Sequence, residues 1–195
     1  SSNQVPDGDT LGRFRNLLIK NGLQEKLFAQ VVVALMERGL ILKKGTIVDS
    51  TIISAPSSTK NKEKKRDPDA HQVKKGNTWH FGYKAHIGVD KDSGLVHTVE
   101  ATSANVHDVA ETSKLLTGEE EAVYGDSGYL GAEKRDDAII RNEAGHKIKY
   151  RINRRPSQVK KLSKSGQYAA KKAEHAKSSV RAKVEHVFGV VKKQL

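Results

Sequence analysis

Residues 45–53 read Gly-Thr-Ile-Val-Asp-Ser-Thr-Ile-Ile, apolar and β-branched at both odd and even positions. A run of this kind is compatible with a strand covered on each face and with little else, so it marks the middle of a sheet. Asp49 interrupts it where a lone charge carries a large desolvation cost. Two further carboxylates occupy similarly unwelcoming positions. Asp126 ends Val123-Tyr124-Gly125-Asp126, and Glu185 lies beside a helical stripe of valines. Convergence of all three on a divalent cation is the most economical explanation. A buried ion pair remains open for Asp49, and capping of the following turn remains open for Asp126.

A chain of 195 residues suffices for one well-packed domain and a small appendage. Aromatic residues are 5% of it, so Val, Ile, Leu and Ala must supply most of the core. Cysteine is absent, which excludes disulfides and thiolate metal sites and suits a reducing cytoplasm. No apolar run approaches the roughly 18 residues of a membrane span, and no signal peptide is visible. The chain begins at Ser1 and ends at Leu195 within an unfinished helical pattern, so the expectation is a C-terminally truncated piece of a longer polypeptide.

Charge is unevenly placed. Residues 147–183 contain 13 of the 35 Lys and Arg residues against the single acid Glu174, so this segment accounts for the whole net charge of +12. A second basic stretch, Lys60–Lys75, sets seven basic residues against Glu63, Asp67 and Asp69. Polyanions gain affinity for such segments through counterion release, and nucleic acid is the expected partner.

Two helices are expected before the first strand, from Asp9 or Thr10 to Gly22 and from Leu23 to Arg38, the second with Leu27, Val31, Ala34 and Leu35 turned inward. They form an N-terminal helical segment, residues 1–44, ahead of a catalytic-core candidate, residues 45–195. The Ser-, Lys- and Pro-rich stretch 54–76 reads as a mobile basic loop. Trp79, Phe81, Tyr83, Ala85, Ile87 and Val89 then alternate with His80, Gly82, Lys84, His86 and Gly88, which predicts a long strand turning at 90–94 into Leu95–Thr102. A helix over 106–116, a strand over 121–126, a helix over 131–142 and a strand over 147–153 follow. The final helix, from Ser178, aligns Val180, Val184, Val187, Val191 and Leu195. This order predicts an α/β fold, an RNase H-like mixed five-stranded sheet flanked by helices, with Asp49 and Asp126 on neighbouring strands.

Arg181, Glu185 and Lys192 share a face of the predicted last helix, where an Arg181–Glu185 salt bridge is the plain alternative to a functional role. His80, His86, His97 and His107 have no zinc-ligand spacing, and structural or phosphate-contact roles are favoured for His80 and His86.

Several motifs occur together in one order: Val48-Asp49-Ser50-Thr51; Arg66-Asp67-Pro68, His71-Gln72 and Lys74-Lys75-Gly76-Asn77; Trp79-His80-Phe81-Gly82; Lys84-Ala85-His86-Ile87-Gly88-Val89-Asp90; Gly125-Asp126-Ser127-Gly128-Tyr129; and Arg181, Glu185 and Lys192. From about residue 5 to the C-terminus the chain resembles the DDE transposases of the bacterial insertion-sequence group-five family. Ser178 stands where that family often carries Tyr. The resemblance implies that Asp49, Asp126 and Glu185 are the catalytic, metal-holding triad, with two Mg²⁺ ions, replaceable by Mn²⁺, about 3.5–4 Å apart. It implies phosphodiester hydrolysis at transposon ends and transfer of the freed 3′-OH into target DNA. Double-stranded DNA and further copies of the chain are the implied partners, with a cytoplasmic, nucleoid-associated setting and no membrane. DNA contacts are expected from Arg181, Lys192, Lys74, Lys75, His80, Lys84, Lys149, Arg151, Arg154 and Arg155. Two other readings stay open: a nuclease of the same fold, and an inactive DNA-binding fragment.

Overall fold

A computed structural model describes residues 6–60 and 64–194. The middle of the basic loop, 61–63, and Leu195 of the valine stripe lie outside the described residues. The chain divides into two compact units, the first ending at Ile41 and the second starting at Leu42.

The first unit holds α1 (Gly8–Lys20) and α2 (Gln24–Glu37). Asp7 caps α1 by accepting the Thr10 N–H at 2.7 Å. Neither helix buries a residue. Leu27 and Val31, expected to face inward, are 48% and 50% exposed, because two short helices have little surface on which to close a core.

The second unit is built on a mixed sheet of β1 (Gly45–Ser54), β2 (His71–Lys75), β3 (Thr78–Asp90), β4 (Val96–Ser103), β5 (Ala122–Gly125) and β6 (Lys149–Ile152). It has six strands rather than the five expected. The order is β2-β3-β1-β5-β6, and β4 also pairs with β3. The extra strand comes from the end of the predicted loop, where Gly76-Asn77 turns His71–Lys75 back against Thr78–Gly82. The predicted helices at 106–116 and 131–142 are absent as such. Short 3₁₀ turns at Asp108–Glu111, Ser113–Leu115 and Ala132–Lys134 stand in their place. After β6 come α3 (Pro156–Lys160), α4 (Lys164–Arg181) and α5 (Lys183–Gln194). The expected single helix from Ser178 is therefore the end of α4 and a separate α5, interrupted at Ala182.

Two cores lie on opposite faces of β1, as alternation requires. Val48 packs with Leu115, Val123, Tyr129, Ile148 and Ile152 on one face. On the other, Ile47 packs with Ile87, Val89 and Val184, joined by Val180, Val187 and Phe188 of α4 and α5. Burial on both faces is what the apolar run at 45–53 demands. Asp90 ties the near end of the sheet together. Its Oδ2 accepts the Leu42 and Lys43 N–H groups, and its Oδ1 accepts those of Asp92 and Ser93.

Candidate functional site

β1 and β5 run parallel, with Ile47 opposite Tyr124. Continued for two residues, that register brings Asp49 level with Asp126, just beyond the end of β5. Pairing across 77 positions of sequence thus juxtaposes two carboxylates that the local sequence keeps apart.

Asp49 is largely buried, with both oxygens engaged. Its Oδ1 accepts the Ser50 N–H at 2.8 Å and its Oδ2 accepts from Arg181 Nη2 at 3.2 Å. Burial pushes its carboxyl above the usual aspartate range, against the pull of the Ser50 N–H and the Arg181 guanidinium, and the neighbouring Asp126 charge pushes the same way. The ion-pair alternative for Asp49 is therefore realised. Arg181 also donates Nη1 to Asn153 Oδ1 at 3.3 Å, which fixes the end of α4 against the residue after β6.

Asp126 caps the 3₁₀ turn Ser127–Tyr129, its Oδ1 accepting the Gly128 N–H at 2.7 Å. A Cβ on Gly128 would stand 2.9 Å from Asp126 Oδ1 and 3.6 Å from Asp108 Oδ2. Only glycine leaves this cradle open without displacing a carboxylate. Beneath it, the hydroxyl of Tyr129 is buried without a well-formed hydrogen bond. Burial, followed by the charges of Asp108, Asp49 and Asp126, holds that phenol well above its ordinary range.

Glu185 does not join the pair. Because the helix breaks at Ala182, Arg181 and Glu185 no longer share a helical turn. Glu185 sits exposed in the first turn of α5, and its carboxylate makes no hydrogen bond or ion pair among the described residues. Among the described residues no three His, Asp or Glu side chains are gathered to hold a metal ion. The Asp49–Asp126 pair supplies carboxylate oxygens beside the Gly128 cradle, the donor type that hard divalent cations prefer, once Arg181 releases Asp49 Oδ2.

Residues 41–195 match the family model described as the transposase DDE domain. The chain belongs to that family. Transposase DDE domains generally act on polynucleotide phosphodiesters and use divalent metals. A solved structure described as a cryo-EM structure of the piggyBac transposase synaptic complex with hairpin DNA aligns at 16% identity and a TM-score of 0.34. The alignment covers 63% of this chain and 26% of that one, so the chain spans about a quarter of that protein's length.

The DDE domain distributes its expected DNA contacts unequally. Lys149 and Arg151 are exposed on alternate positions of β6, while Ile148 and Ile152 are buried, as the alternating pattern predicts. They join Lys44, Lys91 and Lys147 around a concavity of about 370 Å³, with Glu121 as the one acid on its wall. Arg154 and Arg155 follow in the exposed turn into α3, and Lys192 is exposed on α5. Lys74 and Lys75 occupy β2, where Lys74 lies 5.9 Å from the ring of Trp79, itself 63% exposed. His80 is partly buried beside that patch. An exposed indole beside cations offers both a stacking face and charge to a nucleic acid.

Lys84 requires correction. It is 8% exposed, and its Nζ donates to Val106 O at 2.6 Å and Asp108 Oδ1 at 2.9 Å. A side chain so engaged is not offered to a phosphate. His86 is fully buried with its Nε2 bonded to Thr102 Oγ1, and His97 bonds Thr46 Oγ1 through Nε2, so both are structural. The residue that sequence reasoning missed is Asp108, the partner of Lys84. No local signal marks it, because Lys84 alternates with the apolar Tyr83 and Ala85 and reads as a residue of the polar strand face.

No helix of the described residues is long and apolar enough to cross a membrane.

Proposed function

We propose that this DDE domain cuts DNA at the ends of a mobile element of the insertion-sequence group-five kind and joins the freed 3′-OH to target DNA. The carrying observation is the parallel β1–β5 pairing, which sets Asp49 beside Asp126 within a matched DDE domain. Asp49 and Asp126 would hold the divalent metal, Mg²⁺ or Mn²⁺, with Glu185 as the third carboxylate. When bound, such ions stabilise the charge on the attacking and leaving oxygens of an in-line displacement.

The chain's own residues supply position and charge. Gly128 keeps the space beside Asp126 clear, and Tyr129 floors it. Arg181 neutralises Asp49 in the free protein and is placed to hold a DNA phosphate once a cation takes over that task. Lys149 and Arg151 lead away from the pair along β6 and track the backbone, which fixes position without reading sequence. Bringing two element ends together calls for more than one copy of the chain.

A second reading, a DNA-binding fragment without activity, is favoured by the exposed Glu185 and by the Arg181–Asp49 pair. The deciding experiment incubates the chain and Asp49→Asn with pre-cut and uncut end DNA in Mg²⁺ or Mn²⁺. Cleavage and joining should occur with the parent and fall on the order of 10³-fold in the variant. Equal activity of the two proteins would refute the assignment of Asp49. Cleavage without joining identifies a nuclease, and salt-sensitive binding without cleavage identifies the binding fragment.

A further inference from the structure

Asp49 and Ser50 are consecutive on β1, so their side chains leave the sheet on opposite faces. Asp49 meets Arg181 on the α4 side. On the other face, Ser50 Oγ donates to Asp108 Oδ1 at 2.9 Å. The same oxygen accepts from Lys84 Nζ at 2.9 Å, and the Nδ1 of buried His86 stands 3.9 Å away. Asp108 Oδ2 makes no hydrogen bond among the described residues and is turned toward the Gly128 cradle, 3.6 Å from where a Cβ would stand. One carboxylate therefore touches the neighbour of Asp49 through one oxygen and faces the cap of Asp126 with the other.

We propose that Asp108 is a positioning residue for the carboxylate pair, holding Ser50 so that the Asp49 carboxylate stands where it and Asp126 could hold a divalent cation. The inference rests on the reading of Asp49 and Asp126 as metal-holding residues. Asp108 is assigned to positioning because its Oδ1 is already taken by Ser50 and Lys84. Its effect passes through Ser50. Ser50, fixed at its hydroxyl, presents its N–H to Asp49 Oδ1.

Lys84 completes the device. A buried ion pair adds little net stability, because desolvating two charges offsets most of their attraction. What Lys84 does is fix Asp108 in place, from a strand that pairs with β1 along nine residues. Tyr129 packs on the same face of β1, beside Ser50. Its buried hydroxyl lacks a well-formed partner and feels Asp108, Asp49 and Asp126 together. Groups that orient metal-holding side chains typically change metal affinity by about 10–100-fold when altered.

The test measures Mn²⁺ uptake by electron paramagnetic resonance, alongside the Mn²⁺ dependence of DNA cleavage, in the parent, Ser50→Ala, Asp108→Asn and Asp49→Asn. Ser50→Ala and Asp108→Asn should each raise the Mn²⁺ concentration at half-saturation about tenfold. Asp49→Asn should remove the signal. Ser50→Ala keeps the Lys84–Asp108 pair, so it carries the test if Asp108→Asn, which strands a buried lysine, fails to fold. Parent-like Mn²⁺ affinity in Ser50→Ala and in folded Asp108→Asn would overturn the proposal and leave Asp108 a counter-ion of Lys84. A parent that binds Mn²⁺ without cutting DNA defeats the transposase reading alone, because the resonance titration still reports on positioning. A parent that takes up no Mn²⁺ defeats both.

Discussion

Arg181 and Asp49, 132 positions apart in sequence, form a partly buried ion pair at 3.2 Å that occupies the Oδ2 oxygen of the central-strand carboxylate. The pair gives the end of α4 a reason to lie over β1, and it fills in the free protein the electrostatic role that a cation would take.

Arg181→Gln should destabilise the domain by about 1–3 kcal/mol near neutral pH, because a mostly buried carboxylate is left with the Ser50 N–H as its remaining partner. Asp49 already has a raised pKa, so the deficit should shrink as pH falls toward the carboxylate range and the group takes up its proton. Mn²⁺ should stabilise the variant more than the parent. Urea unfolding at two pH values, with and without Mn²⁺, checks all three. A deficit independent of pH would contradict the charge argument.

Lys149→Glu with Arg151→Glu should weaken DNA binding across all sequences. The slope of log affinity against log salt should fall by about two, roughly one phosphate contact per cation removed. Fluorescence anisotropy at several salt concentrations measures it. An unchanged slope would remove β6 from the DNA path.

Gly82→Ala should be among the most damaging single changes. Gly82 adopts φ +153°, and a Cβ there would stand 2.1 Å from Ile53 O. The obstacle is backbone, so it cannot rotate away, and a loss of about 3 kcal/mol or more is expected. The thermal midpoint reports it. A parent-like midpoint would mean that β1 and β3 separate there at little cost.

Acid should destabilise the domain through its buried histidines. Burial lowers the pKa of His86 and of His97 below the ordinary 6.5. The unfolded chain therefore binds more protons than the folded one as pH drops below about 6.5, and stability is lost progressively until the folded values are passed. His97→Gln should flatten the decline between about pH 7 and pH 5, as followed by the thermal midpoint. An equally steep decline in the variant would assign the effect elsewhere.

The strands were legible where alternation or uniform burial wrote them. The 45–53 run, the 79–89 alternation and the Ile148, Tyr150, Ile152 face all stand where their patterns put them. The Gly76-Asn77 turn was a hairpin signal hidden by the polar loop before it, so β2 was missed. The segments at 106–116 and 131–142 carry helical spacing but only break into 3₁₀ turns, since short, strongly packed segments obey their contacts more than their periodicity. The same limit applies to the site. Adjacency of Asp49 and Asp126 followed from strand order. The break at Ala182, which separates Arg181 from Glu185, left no mark in a stripe of valines whose spacing runs through it unbroken. Asp108 was invisible because its importance lies in which side chains fold onto it.

The parallel pairing of β1 with β5 also governs when the acidic pair comes into being. β1, β3 and β4 form an antiparallel unit from contiguous sequence, with modest loop-closure cost, whereas the partner of β1 on the other side arrives only with Ala122–Gly125. Long-range parallel contacts reward the chain only after that closure entropy has been spent. A nascent chain can thus complete four of its six strands while Asp49 still lacks its companion, and assembly of the pair coincides with the late, topologically demanding step of folding rather than preceding it.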